Sequence, residues 1–578
     1  MQKKWLIHQV PNKELVTALA ASLKVPELIG RLLVRRGVTN YNEAEAFFRP
    51  KLDQLHDPFL MQHMNIAVTR LNKAIEKKER VLVYGDYDVD GTTSAVLMHS
   101  YLQFHKLDSS IYIPDRYKEG YGISQIGIEF ANKNKYSLII ALDCGINALD
   151  QGALAKKLGI DLIICDHHTP GEQIPDGIIL NPKLKTCKYP FKELSGCGVG
   201  LKLLQALNQF NNWSDDWLLN QLDLLAISIG ADIVSVTGEN RILAFNGLKR
   251  INQKQRKGIN AVLQIANKPF PLNLSDVVFT LAPRINAAGR MDDAKNATSL
   301  MLAETESEAT QFAQKIEAFN LNRKNVDEAT NLEAIEIVKT SNYRNANLVF
   351  KKNWHKGVLG IVASRLIELR HRPTIVLTCA DDENVISGSV RSVDGINVHA
   401  VLMQCAHLLE KFGGHYFAAG LSIKPANLHE FFQYFDAQIG ALTNQKELVP
   451  TEHIDEEVKL IDFFSNGELP SKIPKICRIL NQFQPFGPGN MKPVFLTKNC
   501  LVSEASVLKE KHLKLVVYQP DFPNLRLSCI GFNLAEKYDY CSEIEPIEII
   551  YTIGQNNWNN NHILQLELKD LRRAKNNH

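Results

Sequence analysis

The stretch that decides the fold is RVLVYGDYDVDG, residues 80–91. Arg80–Tyr84 is a short, continuously apolar β-type run. It stops in a turn that holds Asp86, Asp88 and Asp90 between Gly85 and Gly91. TTSAVLMHSYLQF (92–104) follows and reads as a helix. An apolar strand that passes through a polar, glycine-rich turn into a helix opens a βαβ unit. The pattern recurs downstream in IYIPD (111–115), SLIIALD (137–143) and DLIICD (161–166), with amphipathic helices in most gaps. The expected fold class is therefore α/β, with a doubly wound parallel sheet.

Three of these strands end in acidic or imidazole groups: Asp86-Tyr87-Asp88-Val89-Asp90, Asp143-Cys144-Gly145 and Asp166-His167-His168. The carboxyl ends of parallel strands form the ligand crevice of an open sheet, so three remote segments are expected to converge on one edge. Carboxylates at such distances repel one another, and burial worsens the repulsion, unless a cation stands among them. Carboxylate oxygens with imidazole suit Mn²⁺ or Mg²⁺, and two adjacent ions suit in-line displacement at phosphorus. Asp143, on the middle strand, is placed to bridge the two. Rival readings of Asp86–Gly91 carry less. A calcium EF-hand loop needs Glu at its twelfth position, where this chain has Leu97, and it follows a helix rather than a strand. The nucleophile loop of haloacid-dehalogenase-type phosphatases leaves Asp143 and Asp166–His168 without a role. A plain Asp/Gly turn does not explain two further polar strand ends.

The 578 residues allow about four domains at most. With 45% hydrophobic and 22% charged residues the chain can bury cores, which excludes a disordered tail. Lys and Arg number 66 against 63 Asp and Glu, a net charge of +3, so any nucleic-acid contact must come from local patches. Ten scattered cysteines lack CxxC spacing, which argues for free thiols and a cytoplasmic setting. No signal-peptide core opens the chain, and no apolar run is long enough for a membrane span.

Outward from the decisive stretch, residues 1–75 read as helical and mixed, and 76–303 as the parallel α/β unit. Residues 304–340 carry Ala309, Phe312, Ala313, Ile316 and Phe319 at helical spacing and form a connecting helix. A second α/β block with glycine-rich turns occupies 341–448. From 449 to 578 the chain is β-rich, with QNNWNNN as a hairpin tip, and suggests a small barrel. Lys249, Arg250, Lys254, Arg256 and Lys257 form a basic cluster that reads first as a solvated helix face and secondarily as a DNA contact.

These residues resemble the DHH phosphoesterase superfamily, for which Asp166-His167-His168 is the eponymous motif. Within it, the chain is similar to the RecJ family of single-strand-specific exonucleases. The likeness rests on Tyr84–Gly91, Leu142–Gly145, Pro283–Arg290, Trp354–Ile361, Gly388–Ser392, Gly413–His415 with Ala418–Gly420, and Phe486–Asn490, in that order along the chain. One departure is Asn353, where the family usually has Gly before the Trp-His pair.

The resemblance implies a DHH catalytic domain, a helix-linked DHHA1 substrate-binding domain and an OB-fold-like C-terminal domain. Asp88 and Asp90 would each hold a different ion, His167 would bind the second, and Asp232 would complete the first. Asp86 and His168 would act beside them, Asp86 within reach of the metals. Ser389, Arg391 and His415 would bind a phosphodiester, faced from the catalytic lobe by Arg284 and Asn286. The implied activity is 5′→3′ hydrolysis of single-stranded DNA to 5′ mononucleotides with Mn²⁺ or Mg²⁺, in repair and recombination. The expected partners are single-stranded DNA, a helicase and a single-strand-binding protein, with no membrane and a monomeric chain. Two alternatives stand beside it: a DHH phosphoesterase for short oligonucleotides or cyclic dinucleotides, and a non-catalytic single-strand-binding scaffold of the same fold.

Overall fold

A computed structural model describes residues 3–291, 293–379, 384–464, 473–541, 545–558 and 561–574. Its first sheet is built from β1 (Val81–Gly85), β2 (Ser109–Tyr112), β3 (Leu138–Leu142), β4 (Asp161–Cys165) and β5 (Ile178–Leu180), all parallel, in the order β2-β1-β3-β4-β5. Every residue of β1 and β3 is buried, as continuously apolar strands covered on both faces must be. The short β5 is the strand the sequence did not reveal. The strand order reverses between β1 and β3, and an open sheet opens its crevice at such a switch point. The turn after β1 feeds helix α1 (Val89–Phe104), which packs against α2 (Gly196–Asn211) and α3 (Leu222–Ala231). A glycine is obligatory at Gly91: a β-carbon there would stand 2.4 Å from the Asp86 nitrogen.

Helix α4 (Ala282–Met291) and a short helix, Lys295–Leu302, end the first lobe, and the long α5 (Glu306–Thr340) leaves it. Thr305 caps α5 through a reciprocal pair with Glu308, so its start is locally encoded. The second lobe carries β6 (Asn347–Phe350), α6 (Leu359–Leu369), β7 (Thr374–Cys379), β8 (Ile386–Arg391), β9 (Lys411–Gly414) and β10 (Ala418–Ile423), with its strands in the order β9-β10-β8-β7-β6.

The C-terminal unit is a closed barrel of β11 (Phe495–Leu508), β12 (His512–Tyr518), β13 (Leu527–Gly531), β14 (Ile547–Trp558) and β15 (Asn561–Arg573). Pairing of β14 with β11 shuts it. Strands β14 and β15 pair up to Trp558–Asn561, as a hairpin requires, and Asn559–Asn560 of the expected tip lie outside the described residues. The N-terminal segment divides. Helix Met64–Lys77 joins the core around the first sheet, whereas Leu19, Ile29, Leu32 and Leu33 share a core with the barrel. A short strand, Lys4–Ile7, pairs in parallel with Thr451–Ile454. The first fifty residues and the barrel are thus one packing unit, a long-range association that local periodicity does not encode.

Candidate metal centre and nucleic-acid cleft

Asp86, Asp88, Asp90, Asp143, His167 and Asp232 converge at the switch point. Three overlapping groups have potential ligand atoms all within 4.8 Å of one another: Asp86–Asp88–Asp143, Asp90–His167–Asp232 and Asp143–His167–His168. His167 Nε2 lies 3.1 Å from Asp143 Oδ1, 3.5 Å from Asp232 Oδ2 and 3.9 Å from Asp90 Oδ2. His167 and Asp232 therefore stand in one group, where the resemblance allotted them to different ions.

Each side chain is held by its own local device. Asp88 is the N-cap of α1 and accepts from the Gly91 nitrogen at 3.1 Å. Asp90 accepts from the Gly196 and Cys197 nitrogens, the first turn of α2, at 2.7 and 3.0 Å, and from Ser228 Oγ at 2.7 Å. Asp143 sits just past β3 in the left-handed region, with φ 61°, a conformation that Asp tolerates better than most residues. Asp232 ends α3, one turn beyond Ser228.

Among the described residues, Asp86 Oδ1, Asp143 Oδ1, Asp232 Oδ2 and both ring nitrogens of His167 are buried without a hydrogen-bond partner. Buried polar atoms are normally satisfied, so this concentration of orphans in one spot fits a cation. The electrostatics agree. Burial, reinforced by neighbouring aspartates, holds Asp86, Asp143 and Asp232 well above the usual carboxylate range, and raises Asp88 as well. Burial also pushes His167 down to about 4, which keeps its imidazole neutral and able to ligate. A hard-oxygen set with one neutral imidazole is the donor chemistry of Mn²⁺ or Mg²⁺.

Asp166 is the residue whose role the sequence reading left blank. Its oxygens accept from the nitrogens of Ile146, His167 and His168 at 2.9, 2.7 and 3.1 Å, and from His168 Nδ1 at 2.7 Å. Burial opposes its charge, yet these bonds and the His168 charge bring it down to about 2. Its partner His168 is half-buried, and is nonetheless raised by the Asp166 bond and charge. Asp166 thus shapes the loop that aims both histidines. Its place at a strand end was the available signal.

A cleft of about 900 Å³ opens from this centre between the two lobes, walled by Tyr121, Asp166 and His168 on one side and Lys411, Phe412 and His415 on the other. The His168 and His415 rings stack across it with centroids 6.2 Å apart. A second chamber of about 550 Å³ shares Tyr87, Gly420 and Leu421 with the first and is lined by Arg116, Arg290, Ser389 and Arg391. Arg391 donates to Ser389 Oγ at 2.8 Å, so the two form one donor patch. Arg284 departs from expectation. It is turned to α5, bonded to Glu317 at 2.6 Å and to the Thr280 carbonyl at 2.9 Å, because α4 presents that face to the linking helix. The guanidinium that α4 offers to the cleft is Arg290, one turn beyond the half-buried Asn286. Arg116, Tyr121 and Arg290 were missed; Arg116 follows a strand end, and Arg290 closes a motif already quoted. In the basic cluster, Arg256 is half-buried and paired with the buried Asp223 at 2.8 Å, so this member departs from the solvated helix face expected.

The DHH family N-terminal domain matches residues 80–229, the DHHA1 domain 342–441, and the RecJ OB domain 470–570. The single-stranded-DNA-specific exonuclease RecJ of Bacillus subtilis is 34% identical over 98% of this chain and 70% of its own length. That of Escherichia coli is 31% identical over 97% and 99%. The crystal structure of RecJ in complex with Mn²⁺ from Thermus thermophilus shares the fold, with a TM-score of 0.82 at 24% identity over 99% of this chain and 80% of that one. With three family domains in order and such identity over nearly the full length, the chain belongs to the RecJ family.

Proposed function

We propose that the chain is a single-stranded-DNA-specific exonuclease that removes 5′ mononucleotides in the 5′→3′ direction. What carries this reading is the convergence of five aspartates and His167, with orphaned buried atoms, beside a cleft walled by guanidinium groups. Asp88 and Asp90 would each hold one of two Mn²⁺ or Mg²⁺ ions, Asp143 would bridge them, and Asp86, His167 and Asp232 would complete the set. When bound, such ions make a coordinated water acidic and offset the charge that grows on the phosphate.

The remaining work falls to the chain. The first turn of α2 and Ser228 fix Asp90, and the left-handed backbone fixes Asp143, so the donor atoms need no rearrangement to receive the ions. His168, whose protonated form Asp166 favours, stands on the cleft wall with His415 opposite. Ser389 and Arg391 supply a hydroxyl and a forked guanidinium to one phosphodiester, and Arg290 takes the place first given to Arg284. Together they set the phosphorus against the metal centre and leave the 3′ oxygen of the terminal nucleotide as leaving group. The barrel follows the OB pattern of a groove that tracks single strands. The same reading has a monomer in the cytoplasm that receives its strand from a helicase and a single-strand-binding protein, in repair and recombination. No described helix is long and apolar enough to cross a membrane.

The test is digestion of single-stranded and duplex DNA, labelled at either end, with Mg²⁺, Mn²⁺ or EDTA. Mononucleotide release from the 5′ end of single strands, abolished by EDTA, is the expected result. Release from duplex alone, or release that survives EDTA, would overturn it.

A further inference from the structure

Helix α5 carries one buried seam along its length. Ala309, Ala313 and Ile316 belong to the catalytic core, and Ala334 and Val338 to a core of the second lobe around Trp354, Val358 and Leu366. Between them the seam turns polar: Asn320, Asp327 and Thr330 are all buried. The polar interval is where the helix passes from one lobe to the other.

Asp327 is the centre of this interval. Its side chain is 0% exposed, and its Oδ2 lies 2.8 Å from Arg365 on α6 and 3.9 Å from Arg323 one turn back. The Arg365 contact is a charge pair without hydrogen-bond alignment, so both Asp327 oxygens remain unsatisfied. Arg323 is tied in turn to Asn320 Oδ1 at 3.0 Å. Arg290 also bears on Asp327: burial pushes this carboxyl up, and Arg365, Arg323 and Arg290 oppose the rise. Yet Arg290 is not spent on the joint. It lines the cleft chamber with Arg116 and Arg391; among the described residues its hydrogen bond is to the Gly357 carbonyl at 3.3 Å, and Asp88 of the metal centre favours its charge. Two arginines are thus held behind the chamber by one carboxylate, and a third is left facing into it.

We infer that Asp327 is a positioning residue for substrate engagement: it retains Arg323 and Arg365 at the joint between the lobes, so that Arg290 stays turned into the cleft for the phosphates of the entering strand. The inference rests on the proposed function and adds a residue that touches neither strand nor metal.

Three variants test it. In Asp327→Asn, Arg323 and Arg365 lose the carboxylate that retains them at the joint, and their released charges displace Arg290 from its place in the chamber. In Arg365→Gln, Asp327 draws Arg290 away from the cleft. Each should raise KM for single-stranded DNA about tenfold, with kcat within about threefold of the parent. The double variant Asp327→Asn/Arg365→Gln removes one charge of each sign, and KM should return to within about threefold of the parent. A merely structural role predicts the reverse, losses that add. Should Asp327→Asn fail to fold, the half-exposed Arg365→Gln carries the test by its KM alone. An unchanged KM in the single variants, additive losses in the double, or a fall in kcat with KM unmoved overturns the inference. The same variants are titrated with labelled single-stranded DNA in EDTA by anisotropy. If the parent protein binds but releases no nucleotide, the proposed function fails while the Kd values still decide the role of Asp327, by the same pattern.

Discussion

Gly196→Ala is the most exacting perturbation of the metal centre, because it adds one methyl group and removes no ligand. A β-carbon at Gly196 would stand 2.5 Å from Asp143 Cβ, 2.7 Å from its Oδ1 and 2.8 Å from its Cα. Ordinary contact between carbons is about 3.5–4.0 Å, so something must move by about 1 Å. Asp143 has little room to yield: it is buried, lies in the left-handed region and donates its backbone nitrogen to the Cys165 carbonyl at 2.9 Å. Helix α2 is no freer, since the Gly196 nitrogen donates to Asp90. Either movement misplaces a carboxylate by about 1 Å, which is worth on the order of 100-fold in turnover. The fold should lose less. Overpacking costs about 1–3 kcal/mol, partly offset by the helix preference of Ala over Gly. That is a fall of a few degrees in Tm, about 2–4 °C per kcal/mol for domains of this size. The assay pairs single-strand digestion in Mn²⁺ with a melting curve and with DNA binding in EDTA. The expected outcome is kcat down about 100-fold, with a small shift in Tm and little change in binding. Turnover near the parent value would refute the claim that α2 and Asp143 are locked together.

Asp143→Asn keeps a side chain that accepts the left-handed backbone and removes only the charge; cleavage should vanish while the circular dichroism spectrum and DNA binding persist, and near-normal turnover would falsify the bridging role. Ser228→Ala strips Asp90 of its 2.7 Å hydroxyl donor but leaves two backbone donors, so the apparent Mn²⁺ affinity should fall about 10-fold, as a lost outer hydrogen bond commonly costs, with full activity regained at high Mn²⁺. Arg391→Ala should raise KM for DNA without lowering metal occupancy by calorimetry, and lost occupancy would mean that it supports the metals instead. Asp86, Asp143 and Asp232 are raised when folded and so bind more protons there than in the unfolded chain. The stability they contribute is therefore present at low pH and lost as pH climbs through their folded values. Mn²⁺ relieves this by replacing the protons. The gain in Tm on adding Mn²⁺ to EDTA-treated protein should then grow from mildly acidic to mildly alkaline pH, and a pH-independent gain would contradict the raised values.

Sequence was most informative where chemistry is written along consecutive residues. Asp86–Gly91 carries its own turn, N-cap and ligands within six positions, and the apolar strands on either side announce a parallel sheet, so the switch-point crevice followed by rule. It was least informative where partners are far apart. Arg284 and Arg290 lie on one helix, six positions apart, and no local pattern says which face meets the linking helix; Glu317 decides that from 33 residues away. The pairing of His167 with Asp232 likewise depends on how α3 docks against α1 and α2. Asp166 was quoted in its motif but given no role, because its task is performed largely on backbone nitrogens, which every residue possesses.

The shared core of the first fifty residues and the barrel bears on how the protein is made. Leu19, Ile29 and Leu32 leave the ribosome hundreds of residues ahead of the strands they pack against, through Leu571. At about 5–20 residues per second, those side chains wait on the order of half a minute to two minutes for their partners. Through that interval an apolar helical segment stands uncovered while two other lobes fold between it and its destination. A transcript truncated before the barrel would therefore deprive these helices of their core as surely as deleting them.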